Sequence, residues 1–148
     1  MTIQPFTDEY FMKQALAEAR QAAAEGEVPV GAVVVCNDRI IARAHNQTER
    51  LNDPTAHAEM LAITAAVGAI GAKYLIDCTL YVTVEPCVMC AGAIGWAQIS
   101  TVVYGATDEK RGYRLFAPNA LHAKTIVKTG LLEDDCATEM KLFFKEKR

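Results

Sequence analysis

The chain has 148 residues, of which 51% are hydrophobic and 22% are charged, and its net charge is −3. This length suits one domain with a single core, and this composition excludes an intrinsically disordered protein. The slightly acidic balance excludes a general attraction to nucleic acid, so an RNA partner would need a local basic patch.

The sequence also limits where the protein works. No segment approaches the roughly 18 to 20 consecutive apolar residues that a membrane span needs, and the first residues contain no apolar signal core. We therefore expect a cytoplasmic protein with no membrane partner. The five cysteines form an odd number without an export signal, which argues against a disulfide framework.

The first half of the chain predicts two helices separated by a β-hairpin. Thr7 can cap the first helix, and Asn37-Asp38 is a two-residue turn between two apolar strands. Asp53 is a good N-cap and Pro54 suits the first helical position, so together they predict the start of the second helix. The predicted elements are a helix over 7–24, strands over 28–36 and 39–46, and a helix over 55–67.

The second half of the chain alternates strands and helices. The run 78–85 is almost entirely apolar, as expected for a strand in the middle of a sheet. A helix is predicted from Pro86, and a last helix over 132–145 has acidic residues in its first turn and lysines in its last. The remaining predictions are a strand over 100–106, a short helix near 116–121 and an edge strand over 125–129. This alternation predicts an α/β fold with helices on both faces of one sheet.

The stretch "VEPCVMC" places Cys87 and Cys90 three residues apart, directly after a predicted strand and a proline. This spacing fits a redox pair, half of a metal site, or a coincidence in a core helix. A four-cysteine zinc site is excluded because the chain has no second cysteine pair. The remaining cysteines are isolated in the sequence and predicted to lie in the core: Cys36, Cys78 and Cys136.

A histidine can complete a metal site with the two cysteines. His57, in "DPTAHAEM", lies where a helix is predicted to begin, and Glu59 follows two residues later. Together with Cys87 and Cys90, His57 leaves the fourth position of zinc open, as in a catalytic rather than a structural site. In a regular helix His57 and Glu59 would project about 200° apart, so this interpretation requires the metal to lie above the first helical turn.

These motifs resemble those of the zinc-dependent nucleobase and nucleoside deaminases, which combine His-x-Glu with a later Pro-Cys-x-x-Cys. Within this class the chain is similar to the bacterial tRNA-specific adenosine deaminases. The matching stretches are "EVPVGAVVV", "NDPTAHAEM", "LYVTVEPCVMCAGAI", "VVYGATD" and a closing "FF" with basic residues. The resemblance therefore covers nearly the whole chain.

The resemblance implies a fold, an activity and a metal. The implied fold is a three-layer α/β/α sandwich with a mixed five-stranded sheet, formed by one domain over residues 1–148 and assembled as a homodimer. The implied activity is the hydrolytic deamination of adenosine to inosine at the wobble position of the tRNA anticodon arm, with one zinc per chain. The core motif is common to the class, so a deaminase of a free base or nucleoside, such as guanine or cytosine, is the alternative.

The resemblance also implies the roles of individual residues. The implied zinc ligands are His57, Cys87 and Cys90. Glu59 would be the proton shuttle, which a zinc-stabilised binding module without catalysis would not need. Asn46 is expected to hydrogen-bond the base, Val30 and Gly31 to form a wall of its pocket, and Asp108 to lie beside the substrate backbone.

One segment departs from the family pattern. Residues 109–130 lack the small-residue run and the later Asn-His that many members carry. The basic residues of this segment and of the chain end are predicted RNA contacts, since both segments lie on the RNA side in the family. These predicted contacts are Lys110, Arg111, Arg114, Lys145 and Arg148.

Overall fold

The computed structural model describes residues 6–146, and Arg148 therefore lies outside the described residues. The elements in chain order are α1 (Asp8–Ala24), β1 (Gly31–Cys36), β2 (Arg39–His45), α2 (Ala58–Ile70), β3 (Cys78–Val84), α3 (Val88–Ala97), β4 (Thr101–Ala106), α4 (Tyr113–Phe116), β5 (Ile126–Thr129) and α5 (Glu133–Glu146). Within 6–146, no helix is long and apolar enough to cross a membrane.

The strands form one mixed sheet with the order β2-β1-β3-β4-β5. Strand β1 pairs antiparallel with β2 and β3, whereas β4 pairs parallel with β3 and β5. Helices α2, α3 and α4 contribute to the core on one face of the sheet, and α1 and α5 contribute to the core on the other. The predicted three-layer α/β/α sandwich with a mixed five-stranded sheet is confirmed.

The predicted site residues lie at one edge of the sheet, which is formed by the ends of strands β1 to β4. Gly31 at the start of β1 pairs with His45 at the end of β2, and Val84 at the end of β3 pairs with Ala106 at the end of β4. Helices α2 and α3 begin near this edge, because each follows a connection that leaves β2 or β3 there.

Most local signals in the first half of the chain are confirmed. The Thr7 side chain accepts a hydrogen bond from the backbone N–H of Tyr10 at 3.1 Å and caps α1. Asn37 and Asp38 both have positive φ, at 53° and 61°, as the tight turn between β1 and β2 requires. Strand β1 begins at Gly31, three residues later than predicted.

The predicted start of the second helix is wrong. The Asp53 carboxylate accepts hydrogen bonds from the backbone N–H of Thr55 at 2.8 Å and from its hydroxyl at 2.7 Å. This closes a local turn, so Asp53 does not cap a helix. Helix α2 begins at Ala58 with His57 as its N-cap.

The short helix in the irregular segment is also placed differently from the prediction. Helix α4 spans Tyr113–Phe116, not 116–121. It forms there because Tyr113 is buried, with 4% of its surface exposed, and its N–H donates to the Pro86 carbonyl at 2.9 Å. The predicted edge strand is confirmed as β5, all four residues of which are exposed.

Candidate metal centre and active site

Two helix starts bring the predicted metal ligands together. His57 is the N-cap of α2 and Cys87 is the N-cap of α3, and neither side chain makes a capping hydrogen bond to its helix. Cys90 is buried in the first turn of α3. The positive ends of the two helix dipoles favour thiolates at this place.

His57 and Glu59 do not project about 200° apart, as they would within one regular helix, because His57 precedes the helix. Its backbone is extended, with φ −74° and ψ 152°, so the rotation of 100° per helical residue does not apply to it. Glu59 lies within the first helical turn. The side chains of His57 and Glu59 therefore both line one cavity.

The three predicted ligand atoms have the spacing that zinc requires. The Nδ1 atom of His57 lies 3.6 Å from the Sγ atom of Cys87 and 3.6 Å from that of Cys90. Tetrahedral bonds of about 2.0–2.1 Å to nitrogen and 2.3 Å to sulfur separate these atoms by about 3.6 Å. Among residues 6–146, no fourth His, Cys, Asp or Glu joins this group, so the residues fit a zinc ion with one open position.

The surroundings of the two cysteine ligands shift the pKa values of their thiols in opposite directions. A hydrogen bond from Cys90, aided by one from His57, lowers the pKa of Cys87 to about 4 against the opposing effect of burial. The same hydrogen bond to Cys87, together with burial, raises the pKa of Cys90. A metal binds cysteines as thiolates, so a metal held by both sulfur atoms would displace any proton that they share.

Glu59 lies beside the ligands but outside the ligand group. Its surface is 4% exposed, and it follows His57 by two residues at the buried start of α2. Burial raises the pKa of its carboxyl to about 7, despite an opposing hydrogen bond from a backbone N–H. A carboxyl group in this environment suits the uptake and return of a proton near neutral pH.

A cavity of about 300 Å³ lies against His57, Glu59 and Cys87. Asn46 lines this cavity and is 7% exposed, and its side-chain Oδ1 has no hydrogen-bond partner within residues 6–146. Its backbone N–H donates to the carbonyl of Val30 at 3.1 Å, which also lines the cavity. A buried acceptor without a partner costs free energy, so the Oδ1 atom of Asn46 is available to accept a hydrogen bond from a donor on a bound molecule.

Gly31 supports the wall of this cavity from behind. It does not line the cavity, because α1 packs directly on it: a Cβ at this position would collide with the backbone of Ala15 and Ala19. Its N–H donates to the Thr83 hydroxyl at 3.1 Å. Glycine here lets α1 approach the edge of the sheet closely.

Helix α5 contributes two cavity residues that the sequence reasoning missed. Met140 and Phe144 line the cavity from a helix that is distant in sequence from both metal-ligand motifs. The only sequence signal was the pair Phe143-Phe144 near the chain end. A contact between such distant segments is set by the packing of α5 on β4, which a local pattern does not show.

A larger groove of about 850 Å³ borders the cavity, and Asp108, Arg111, Met140 and Phe144 line both. We call it the cationic groove, after its basic lining residues Lys110, Arg111, Lys141 and Lys145. None of these four takes part in the ion pairs found within residues 6–146. The groove also contains two acidic residues, Asp108 and Glu109, and the Asp108 carboxylate accepts hydrogen bonds from the backbone N–H groups of Lys110 and Arg111.

Arg114 is placed differently from the other predicted RNA contacts. It does not line the groove, and its guanidinium binds the carboxylate of Glu85 at 3.1 Å. The remaining predicted contacts within the described residues, Lys110, Arg111 and Lys145, line the groove.

Comparison with known proteins identifies the family. Residues 5–106 match the family described as the cytidine and deoxycytidylate deaminase zinc-binding region. The chain belongs to this family. It is therefore a deaminase, a hydrolase that acts on an amino-substituted nucleobase, and its cofactor is zinc.

This deaminase is similar to characterised proteins over most of its length. It is 44% identical over 144 residues to the tRNA-specific adenosine deaminase of Streptococcus pyogenes serotype M18 (strain MGAS8232), covering 94% of this chain and 91% of the relative. A solved structure from work on A-to-I editing by tRNA:A34 deaminases at the wobble position of transfer RNA has 46% identity and a TM-score of 0.82, covering 88% of this chain and 98% of that one. A guanine deaminase from Nitrosomonas europaea has 25% identity and a TM-score of 0.82, covering 93% and 84%.

Proposed function

We propose that this chain deaminates adenosine to inosine in tRNA, at the wobble position of the anticodon. The observation that carries the proposal is the continuity of the cavity at Glu59 with the cationic groove, since the two share Asp108 and Arg111 in their walls. A buried pocket for one base beside a cationic channel for the adjoining phosphates suits a base flipped out of a nucleic acid. The names of the similar proteins support the same substrate.

The ligands of the metal in this proposal are His57, Cys87 and Cys90, with one zinc per chain. When bound there, zinc would lower the pKa of a coordinated water from about 15.7 to about 7 and so provide a nucleophile at neutral pH. The three side chains fix its place next to Glu59.

Glu59 moves the protons in this mechanism. It takes a proton from the attacking water and delivers it to the ring nitrogen of the base. It then takes the remaining proton from the new hydroxyl group on the attacked carbon and gives it to the amino group as the C–N bond breaks, so that adenosine and water give inosine and ammonia. Its burial beside the ligands, outside the ligand group, supports this role. A zinc-stabilised binding module would have no use for such a carboxyl.

The base is held by the walls of the cavity. The unpaired Oδ1 of Asn46 accepts a hydrogen bond from a donor on the nucleoside, which removes the cost of leaving that atom buried without a partner. Val30 and Phe144 supply apolar surface against the base, and Gly31 keeps Val30 in place by letting α1 pack behind it. Asp108 lies beside the sugar and backbone of the substrate at the cavity mouth.

The RNA backbone follows the cationic groove. Lys110, Arg111 and Lys145 are unpaired in the described part of the chain, so each is available for a phosphate. Arg148, which lies outside the described residues, is proposed as a further RNA contact. An unpaired anticodon loop needs little energy to expose its base. The reaction takes place in the cytoplasm, where tRNA is found.

The single domain formed by residues 1–148 works as a homodimer in this proposal. Val88 and Trp96 are 41% and 84% exposed on one side of α3, and Gly92 between them has open space in front of it. Such an apolar stripe on a helix is typical of a protein interface. A second copy covering this face would bury it, and sedimentation of the wild type against Trp96→Glu tests this.

The second candidate function is the deamination of a free base, favoured by the likeness to the guanine deaminase. Ammonia release from an anticodon stem-loop, guanine, cytosine and adenosine distinguishes the two, with Glu59→Ala as the background for each substrate. We expect the stem-loop to be turned over fastest, and inosine to appear at its wobble position. Faster turnover of any free base would replace the proposed function with the second candidate.

A further inference from the structure

A buried carboxylate, that of Glu85, lies in the cavity wall close to the metal ligands. Glu85 follows the last residue of β3 and precedes Pro86 and the ligand Cys87. Its side chain is 0% exposed, yet it is neither a metal ligand nor a proton carrier in the proposed mechanism. A buried charge of this kind requires partners, and their identity indicates its role.

Four donors converge on this carboxylate, and all of them come from Asp108 and Arg114. The guanidinium of Arg114 donates from Nε to Oε2 and from Nη2 to Oε1, both at 3.1 Å. The backbone N–H of Arg114 donates to Oε2 at 3.2 Å, and that of Asp108 donates to Oε1 at 3.0 Å. Because a carboxylate accepts at about four positions, Glu85 is fully satisfied by one short segment.

We call residues 108–114 the lip segment. The chain passes so close to Glu85 that a Cβ at Gly112 would collide with the carboxylate. Gly112 also forms an isolated antiparallel bridge with Cys87, and the N–H of Tyr113 donates to the Pro86 carbonyl at 2.9 Å. The lip segment is therefore fastened to the turn that presents the metal ligand.

We propose that Glu85 and Arg114 are a positioning pair, which fixes the lip segment so that Asp108 and Arg111 stand at the junction of the cavity and the cationic groove. This inference rests on the proposed function. Arg114 then acts through Glu85, and it does not bind phosphate. Arginine is needed because its planar fork matches the carboxylate at two points, whereas lysine supplies the charge without that geometry.

The kinetic test compares Arg114→Lys, Arg114→Ala and the isosteric Glu85→Gln on an anticodon stem-loop between about 50 and 200 mM salt. We expect all three to lower kcat/KM by about 10- to 100-fold, mainly through KM, because the lip segment moves. The slope of log KM against log salt should fall to a similar extent in all three variants, because the displaced lip segment carries Lys110 and Arg111. The control Arg39→Ala changes an exposed arginine at the hairpin end of β2, away from the site, and should leave both quantities unchanged.

A direct phosphate contact gives a different pattern. Arg114→Lys would then keep most of the activity, only Arg114→Ala would reduce the salt slope, by roughly one, and Glu85→Gln would not weaken RNA turnover. This pattern would overturn the inference.

A second measurement does not depend on activity. In the zinc-loaded protein, the amide hydrogens of Asp108 and Arg114 should exchange faster in all three variants than in the wild type, with equal zinc content and unchanged exchange in α1. Unchanged exchange at these two amides would refute the positioning role. Failure of the wild type to deaminate the stem-loop would instead refute the proposed function, and the exchange result would still decide whether the pair positions the lip segment.

Discussion

The metal centre and the lip segment lie next to each other but are held in place by different means. The helices that present the ligands bury a face rich in small residues against the sheet: Ala58, Ala62 and Ala66 on α2, and Ala91, Ile94 and Ala97 on α3. The lip segment contributes one buried side chain to the core, that of Tyr113, and continues into the exposed Leu115 and Phe116. Apart from the anchors at Pro86 and Cys87, its position depends on the carboxylate of Glu85.

Because the two regions are held differently, we expect changes in the metal centre to affect the reaction and changes in the lip segment to affect substrate binding. The residues proposed to hold zinc and to move protons are fixed by the core and by helix starts, so we expect a change there to affect the reaction itself. The lip segment can change its sequence while the metal centre is preserved. The departure from the family pattern that the sequence predicts begins at Glu109, within the lip segment, and does not include the ligand motifs.

The largest expected effect comes from breaking the metal centre with Cys87→Ala. We expect zinc content to fall from about one ion per chain to near zero, turnover to be lost and the melting temperature to fall, because the metal joins α2 to α3. Elemental analysis and thermal unfolding check this. Cys36→Ala, which removes a thiol from β1 outside the ligand group, is the control and should keep its zinc. Full zinc retention in Cys87→Ala would contradict the ligand assignment.

A smaller effect is expected from crowding the lip segment with Gly112→Ala. The added methyl group must displace the Glu85 carboxylate, so kcat/KM for the stem-loop should fall by about 10-fold or more while zinc content stays unchanged. The control Gly68→Ala places the same methyl group in open space on α2, and it should keep activity and gain up to about 1 kcal/mol of stability. Wild-type kinetics in Gly112→Ala would show that the close approach to Glu85 has no role in substrate binding.

The smallest and most salt-dependent effect is expected from Lys110→Glu combined with Arg111→Glu. KM for the stem-loop should rise by several-fold, and the salt slope should fall by roughly 0.7 for each phosphate that is no longer neutralised. Arg39→Glu with Lys73→Glu makes the same change in charge on residues away from the cationic groove and should have little effect. Equal effects of the two double variants would show that overall charge, not the groove, attracts the RNA.

The sequence predicted what depends on local patterns. The alternation of strands and helices gave the three layers, and the combination of His57 with Cys87 and Cys90 gave the metal site. The position of His57 before its helix was not predictable, because Asp53 and Pro54 are an equally good local signal for a helix start. Only the hydrogen bonds from Thr55 to Asp53 decide between the two.

Local sequence patterns did not predict the contacts between residues that are distant in the sequence. Arg114 in a basic segment is expected to face solvent, and nothing near it in the sequence shows that Glu85, 29 positions earlier, is buried against it. The same holds for Met140 and Phe144, which reach the cavity because α5 packs beside β4. Such contacts are properties of the fold, and they determine the shape of the cavity mouth.

Glu59 is the proposed proton carrier of this zinc-dependent deaminase in its reaction on RNA. The most direct measurement is inosine formation in an anticodon stem-loop by wild type and by Glu59→Ala, at equal and directly measured zinc occupancy. We expect Glu59→Ala to keep its zinc and fold and to lose about 10²- to 10⁴-fold or more in kcat. Near-normal inosine formation by the zinc-loaded variant would show that Glu59 is not the proton carrier.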